Sequence, residues 1–208
     1  MHTETTQATQ TAGHVLHWAR RYDLLAGIIP FGRAIREKLL ELAAPAPGEH
    51  VLDVGCGTGT LALALKARGA GEVHGIDASP EMIEVAKAKA AKARLAVDLQ
   101  VALIEALPFP DASFDLVTSS LMLHHLPGDL KRKGLAQVRR VLKPGGRFMA
   151  LDFAMRSHSR LGHLLAIFGH AHGESMVDEL IPMLKEAGFG EVEVIPTRHK
   201  NFAFVRAR

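Results

Sequence analysis

The sequence predicts an α/β protein, a three-layer αβα sandwich around a mainly parallel seven-stranded sheet with one antiparallel strand near the C-terminus. Three observations carry this expectation. Short apolar runs alternate with helical patterns through the middle of the chain, which implies right-handed βαβ crossovers and a sheet covered on both faces. One of those runs enters a glycine-rich turn that opens directly into a helix. The last two runs are joined by only about five residues, a connection too short for anything but an antiparallel hairpin.

Taken in order, residues 1–13 (MHTETTQATQTAG) are polar and expected to form a disordered tail, and 14–208 a single domain. Segment 14–29 carries a helical apolar pattern that Pro30 ends. Segment 31–44 reads as a second helix, with Ile35, Leu39, Leu40 and Leu42 as its stripe and Pro45 and Pro47 as its stop. A strand over 50–54 leads into a helix over 58–68, and a strand over 72–76 into a helix that Ser79 caps and Pro80 starts. Strands follow at 97–103 and 114–119, then a helix over 128–142 ending at Lys143-Pro144-Gly145-Gly146, then a strand over 147–153. An insertion at 154–173 precedes a helix over 174–187, which stops at Gly188 before strands at 191–196 and 202–208.

With 208 residues, 48% hydrophobic and 23% charged, the chain has the composition of a protein that buries one core. The net charge of +3 is mild. Its densest basic clusters, Lys131-Arg132-Lys133 and Arg139-Arg140, are short and read as solvated helix faces rather than a nucleic-acid footprint. The lone cysteine, Cys56, excludes an internal disulfide and argues against a thiolate metal site. No apolar run resembles a secretory signal or a membrane span. The expectation is a cytoplasmic protein without a nucleic-acid partner or integral membrane association, a monomer or homodimer, with peripheral membrane contact left open.

The most informative segment is VLDVGCGTGT (51–60). Glycines at a strand-to-helix turn let the backbone approach a ligand while the amides of the helix N-terminus point at an anionic or polar group. Asp77 ends the next strand, where a carboxylate accepts both hydroxyls of a ribose. The turn and Asp77 together indicate a bound ribonucleoside. A dinucleotide site usually spaces its glycines GxGxxG, whereas this chain reads GxGxG with Thr60 at the third dinucleotide position. Asp53 is more than a nicotinamide site needs, and it is placed for the α-ammonium of an amino-acid ligand.

These residues resemble the class I S-adenosylmethionine (SAM)-dependent methyltransferases, in particular the group containing the ubiquinone/menaquinone C-methyltransferases. Four collinear segments carry the resemblance: VLDVGCGTG, GIDASPEMI (75–83), EALPFPDASFDLV (105–117) and RVLKPGGRFMALDF (140–153). The resemblance implies a Rossmann-like fold with SAM as cofactor and a small-molecule methyl acceptor. It implies that the loop Gly55, Cys56, Gly57 and Gly59 wraps the cofactor, with Gly55 and Gly57 backbone groups and Asp53 at its methionine end. Asp77 would bind the ribose, Ala78 and Met82 would pack on the adenine, and Ser119 and Ser120 would line the floor near the sulfonium. Tyr22 resembles an aromatic lid. Relatives often carry Asp where this chain has Leu103, which leaves the backbone of Ile104 and the neighbouring Glu105 to meet the adenine edge and removes one polar contact, worth about 0.5–1.5 kcal/mol.

SAM is already activated, so the protein needs chiefly to align a nucleophile and exclude water, with a base only where the acceptor must lose a proton. His124 and His125, after the fourth strand, are the candidates for that base, beside a packing or loop-capping role. His158, His163, His170 and His172 fall in the insertion, and His170-x-His172 lacks a third ligand for a metal. The apolar run LGHLLAIFGH (161–170) suits a hydrophobic acceptor, a membrane-surface helix, or a helix packed on the core. The N/D-P-P-Y/F motif of base amino-group methylation is absent, since 118–123 reads TSSLML. Two other readings stand beside methyl transfer: a nicotinamide-dependent oxidoreductase on a similar sheet, and a catalytically silent SAM-binding protein.

Overall fold

The computed structural model describes residues 32–154, 176–198 and 201–208. Tyr22, the tail expected at 1–13, the helix expected at 14–29 and most of the insertion at 154–173, with its four histidines, lie outside the described residues. The elements are α1 (Gly32–Ala43), β1 (Val51–Val54), α2 (Thr60–Ala67), β2 (Val73–Asp77), α3 (Pro80–Ala93), β3 (Asp98–Val101), β4 (Phe114–Ser120), α4 (Gly128–Val141), β5 (Leu142–Phe153), α5 (Met176–Glu186), β6 (Val192–Pro196) and β7 (Phe202–Ala207).

The seven strands form one sheet in the order β3-β2-β1-β4-β5-β7-β6. The pairs from β3 to β5 are parallel, and β7 runs antiparallel to both β5 and β6. The hairpin expectation holds, with one refinement: the antiparallel strand is inserted between β5 and β6, so the spatial edge is β6. Successive strands build outward from β1 to β3 and then return to β4 on its other side. The carboxyl ends of β1 and β4 therefore diverge at a topological switch point, the place where an open α/β sheet leaves a crevice.

Strand alternation sorts the core. Val51, Leu116, Met149, Leu151 and Phe204 pack with Ile35, Leu39, Leu40 and Ala43 of α1 and Leu61, Ala62 and Leu65 of α2. The stripe of α1 ends on Ala43 rather than Leu42, which is only partly buried. Leu52, Val54, Val117, Phe148 and Ala150 cover the opposite face with Leu135, Val138 and Val141 of α4 and Leu180 and Leu184 of α5. A smaller cluster of Cys56, Leu63, Ile83, Ala86, Ala90 and Leu99 seats α3. Arg147 of β5 donates to the Ala43 and Ala44 carbonyls and to Glu49 (2.7 Å), satisfying acceptors that the end of α1 leaves open.

Pairing of β5 begins earlier than the sequence suggests. Leu142 already faces Phe114, the register then slips, and Arg147 faces Leu116, so the Lys-Pro-Gly-Gly turn is an irregularity inside the strand rather than a loop before it. The basic clusters of α4 differ from expectation in part. Lys131 is buried, donating to Glu179 of α5 (2.8 Å), because a buried ammonium needs a charged partner. Arg132 pairs with Glu186, and Arg140 clasps the 107–111 loop through the Leu107 and Phe109 carbonyls and Asp111. Lys131 and Arg140 thus hold the fold together, while Arg132 and Lys133 stay exposed on the helix surface.

Candidate active site at the carboxyl ends of the strands

The glycine turn sits at the switch point. Gly55, Gly57 and Gly59 all adopt positive φ (67°, 52° and 75°), a conformation that costs other residues about 1–2 kcal/mol each. Two of the three also need the absence of a side chain. A Cβ on Gly55 would lie 2.2 Å from Met122 Cγ, and one on Gly59 would lie 2.9 Å from Ala86 of α3. Around Gly57 nothing lies within 4 Å of that position, so its φ alone selects glycine and the space beside it is open.

Asp77 closes the turn. Its Oδ2 accepts the Gly57 amide (2.8 Å) and its Oδ1 accepts the Ser79 amide (2.9 Å). Burial raises this carboxyl above its ordinary range, while the two backbone amides oppose the rise. Each oxygen keeps a further lone pair at a partly exposed position, which is what two vicinal hydroxyls require. The Gly57 amide is thereby committed to Asp77. Ser79 caps α3 by accepting from the Met82 amide (3.3 Å), and Met82 is buried whereas Ala78 is exposed.

Asp53 lies deeper, 1% exposed on β1. Its Oδ1 accepts the Thr118 hydroxyl of β4 (2.8 Å), and Oδ2 is buried without a hydrogen-bond partner. Desolvation pushes this carboxyl up to about 7, with the Thr118 hydroxyl and the Ala62 backbone amide pulling against it and the charge of Asp77 adding to it. An orphaned buried carboxylate oxygen is costly unless a ligand completes it. Cys56 is also buried, its thiol pushed up by desolvation, and it packs beneath the turn with its amide on the Ile76 carbonyl (2.8 Å).

The β4 side does not bring both serines together. Ser119 is buried on the α4 face with an unpartnered Oγ, while Ser120 is partly exposed on the other face, as consecutive strand residues must be. Leu121 then takes a left-handed backbone (φ 53°), unusual for a bulky side chain, and its amide bonds to the Leu151 carbonyl. That turn lays Met122 over Gly55 and starts a short 3₁₀ turn, Leu123–His125. His124 is largely buried and His125 exposed. Ile104 is committed to packing against Gly134 of α4, and Glu105 is partly exposed beside it.

Two partners in this neighbourhood escaped the sequence reading. Asp152 of β5, fully buried, holds His124 Nδ1 at 2.8 Å. The signal for it was a carboxylate inside the otherwise apolar run FMALDF. Lys89 of α3 donates to the hydroxyls of Thr58 and Thr60 (3.1 and 2.6 Å), which accounts for Thr60 where a dinucleotide site carries glycine or alanine.

A glycine turn at a switch point, a strand-end carboxylate with a lone pair to spare on each oxygen and a second, buried carboxylate give the crevice the groups that a nucleoside carrying an amino acid would need. Comparison with known proteins agrees. Residues 51–146 match the family described as "Methyltransferase domain". A demethylmenaquinone methyltransferase of Thermus thermophilus is 41% identical over 138 residues, covering 65% of this chain and 62% of that one. The chain thus spans less than two thirds of that relative's length. A demethylmenaquinone methyltransferase from a Geobacillus strain is 31% identical over 206 residues, covering 84% of this chain and 86% of the relative. Among solved structures, a SAM-dependent methyltransferase from Aquifex aeolicus shares the fold with a TM-score of 0.71 at 24% identity, covering 91% of this chain and 97% of that one. The chain belongs to the class I SAM-dependent methyltransferases, and the nicotinamide reading gives way to that membership.

Proposed function

We propose that this chain transfers the methyl group of SAM to a small acceptor, with the cofactor lying across the carboxyl ends of β1, β2 and β4. The observation that carries the reading is the pair of carboxylates at one switch point: Asp77, partly exposed, with a lone pair to spare on each oxygen, and Asp53, buried, with an orphaned Oδ2. When bound, SAM supplies an electrophilic methyl group on a sulfonium. The chain's own residues then have three tasks. Asp77 holds the ribose hydroxyls, with Ala78 and Met82 bordering the adenine and the Ile104–Glu105 turn at its far edge. Asp53 and the Gly55–Gly57 backbone hold the methionine end, and the loop from Ser119 to His125 meets the acceptor. Alignment within a water-excluded crevice is the main source of rate in such a displacement.

The acceptor is small, and demethylmenaquinone, which appears in the names of the relatives from Thermus thermophilus and Geobacillus, is the first to test. Among the described residues no helix is long and apolar enough to cross a membrane. Titration calorimetry with SAM, S-adenosylhomocysteine and NADH tests the cofactor, and NADH binding in place of SAM would overturn the proposal. A methyl-transfer screen over quinols, lipids, thiols and amines tests the reaction. SAM binding with silence across that panel would favour a catalytically silent binding protein.

A further inference from the structure

We propose that Asp152 is the positioning residue for a general base, His124, and that this pair restricts the acceptor to one whose attacking atom gives up a proton. The inference rests on the methyl-transfer reading above and adds to it the chemical class of the nucleophile.

The geometry is specific. Asp152 is fully buried near the end of β5, and its carboxylate grips His124 twice. Oδ1 lies 2.8 Å from the ring Nδ1, and Oδ2 accepts the His124 backbone amide at 3.3 Å. Oδ1 also accepts the Phe153 amide (2.8 Å), so the carboxylate is itself fixed by its own strand. The imidazole stands edge-on to Phe153 (ring centroids 4.7 Å apart, 77°) and against His125 (3.9 Å, 44°). Among the described residues, Asp152 and His125 are the titratable groups in contact with it. The grip spans 28 residues of sequence and exists only because β4 and β5 are neighbours.

A carboxylate cannot donate a proton to Nδ1, so the bond assigns the ring proton to Nδ1 and the basic lone pair to Nε2. The same carboxylate stabilises the imidazolium once a proton arrives. Two residues before His124, Met122 covers Gly55, so this turn borders the glycine loop directly. A histidine held this way is of no use to an acceptor with a free lone pair and nothing to lose. It serves a phenol, enol, thiol or ammonium. There the acceptor's electron pair forms the new bond to the methyl carbon, the pair of the breaking C–S bond stays on sulfur, and the acceptor's proton moves to Nε2 and then to solvent.

The test begins on the unliganded protein. A long-range ¹H–¹⁵N NMR spectrum at alkaline pH, with His124 assigned by difference from His124→Gln, is expected to show the proton on Nδ1; a proton on Nε2 overturns the proposal whatever the variants do. Asp152→Asn should lower kcat for a protic acceptor about 10- to 100-fold, with SAM affinity by calorimetry unchanged. In the His124→Gln background the same substitution should have no further effect. An Asp152→Asn loss that persists in full in that background would overturn the pairing. Should the wild-type chain bind no SAM, the methyl-transfer reading fails, while the tautomer still reports on the His124–Asp152 pair by itself.

Discussion

The two halves of the site are built by different means. The β1–β2 half is local: Asp53, the three glycines, Asp77 and Ser79 lie within 27 consecutive residues, and its bonds are mostly from backbone amides to carboxylates. The β4–β5 half joins residues far apart in sequence, with side chains gripping one another and a strained Leu121 steering the turn. On the function proposed above, the contrast teaches that a nucleoside common to many enzymes can be met by a compact backbone cradle. A particular acceptor needs side chains, and these come from wherever the sheet supplies them.

The largest expected effect breaks the cradle. Gly55→Ala forces a Cβ onto the root of the Met122 side chain at a positive φ; SAM binding should be lost and the melting temperature should fall by several degrees, about 1 kcal/mol or more in stability. Adding Met122→Ala should recover part of the stability, and no recovery would place the cost on the positive φ and on the Cβ at position 122, which alanine keeps.

Next comes Asp77→Ala, which should weaken SAM binding at least about tenfold, the range for losing charge-assisted hydrogen bonds, while far-ultraviolet circular dichroism stays unchanged. An unaltered affinity would remove Asp77 from the cofactor site.

A third prediction sharpens the electrostatics. The Asp53 carboxyl, pushed up to about 7 by burial, must ionise to hold an ammonium. SAM affinity should therefore fall as pH drops below about 7, by at most about tenfold per unit, and Asp53→Asn should flatten that limb while weakening binding. The sign for stability is opposite. A raised carboxyl makes the folded chain favour the protonated form, so ionisation costs stability from the ordinary carboxylate range up to about pH 7, and the full cost remains above it. The unliganded Asp53→Asn variant should accordingly melt higher than wild type at pH 8 and about equal to it near pH 4. A lower melting temperature at pH 8 would contradict the burial argument.

The smallest effect is on the other half. Leu121→Gly relieves the left-handed backbone but sacrifices a partly buried apolar side chain packed on the α1–α2 core. The two terms, each about 1 kcal/mol, should nearly cancel in a denaturant titration. A loss well beyond that would show that Leu121 is held for packing and that its backbone strain is incidental.

Sheet, crossovers and terminal hairpin were legible because hydrophobic period and turn residues are local signals, and the sequence reading placed the strands to within a few residues. The glycine turn and its two carboxylates were legible for the same reason, since they sit in one strand–turn–helix–strand run. Ser119 and Ser120 illustrate the limit: adjacent in sequence, they point to opposite faces of the sheet. Lys131 illustrates another, for its burial depends on Glu179, 48 residues away.

The amino-acid sequence by itself thus determined the α/β class, the glycine turn and its two carboxylates, because backbone conformation and strand period depend on neighbours in the chain. Tertiary structure alone decided that Asp53 keeps an orphaned oxygen, that Met122 covers Gly55 and that Asp152 grips His124. Burial, strand order and register set those contacts, and none of the three is a property of a local segment.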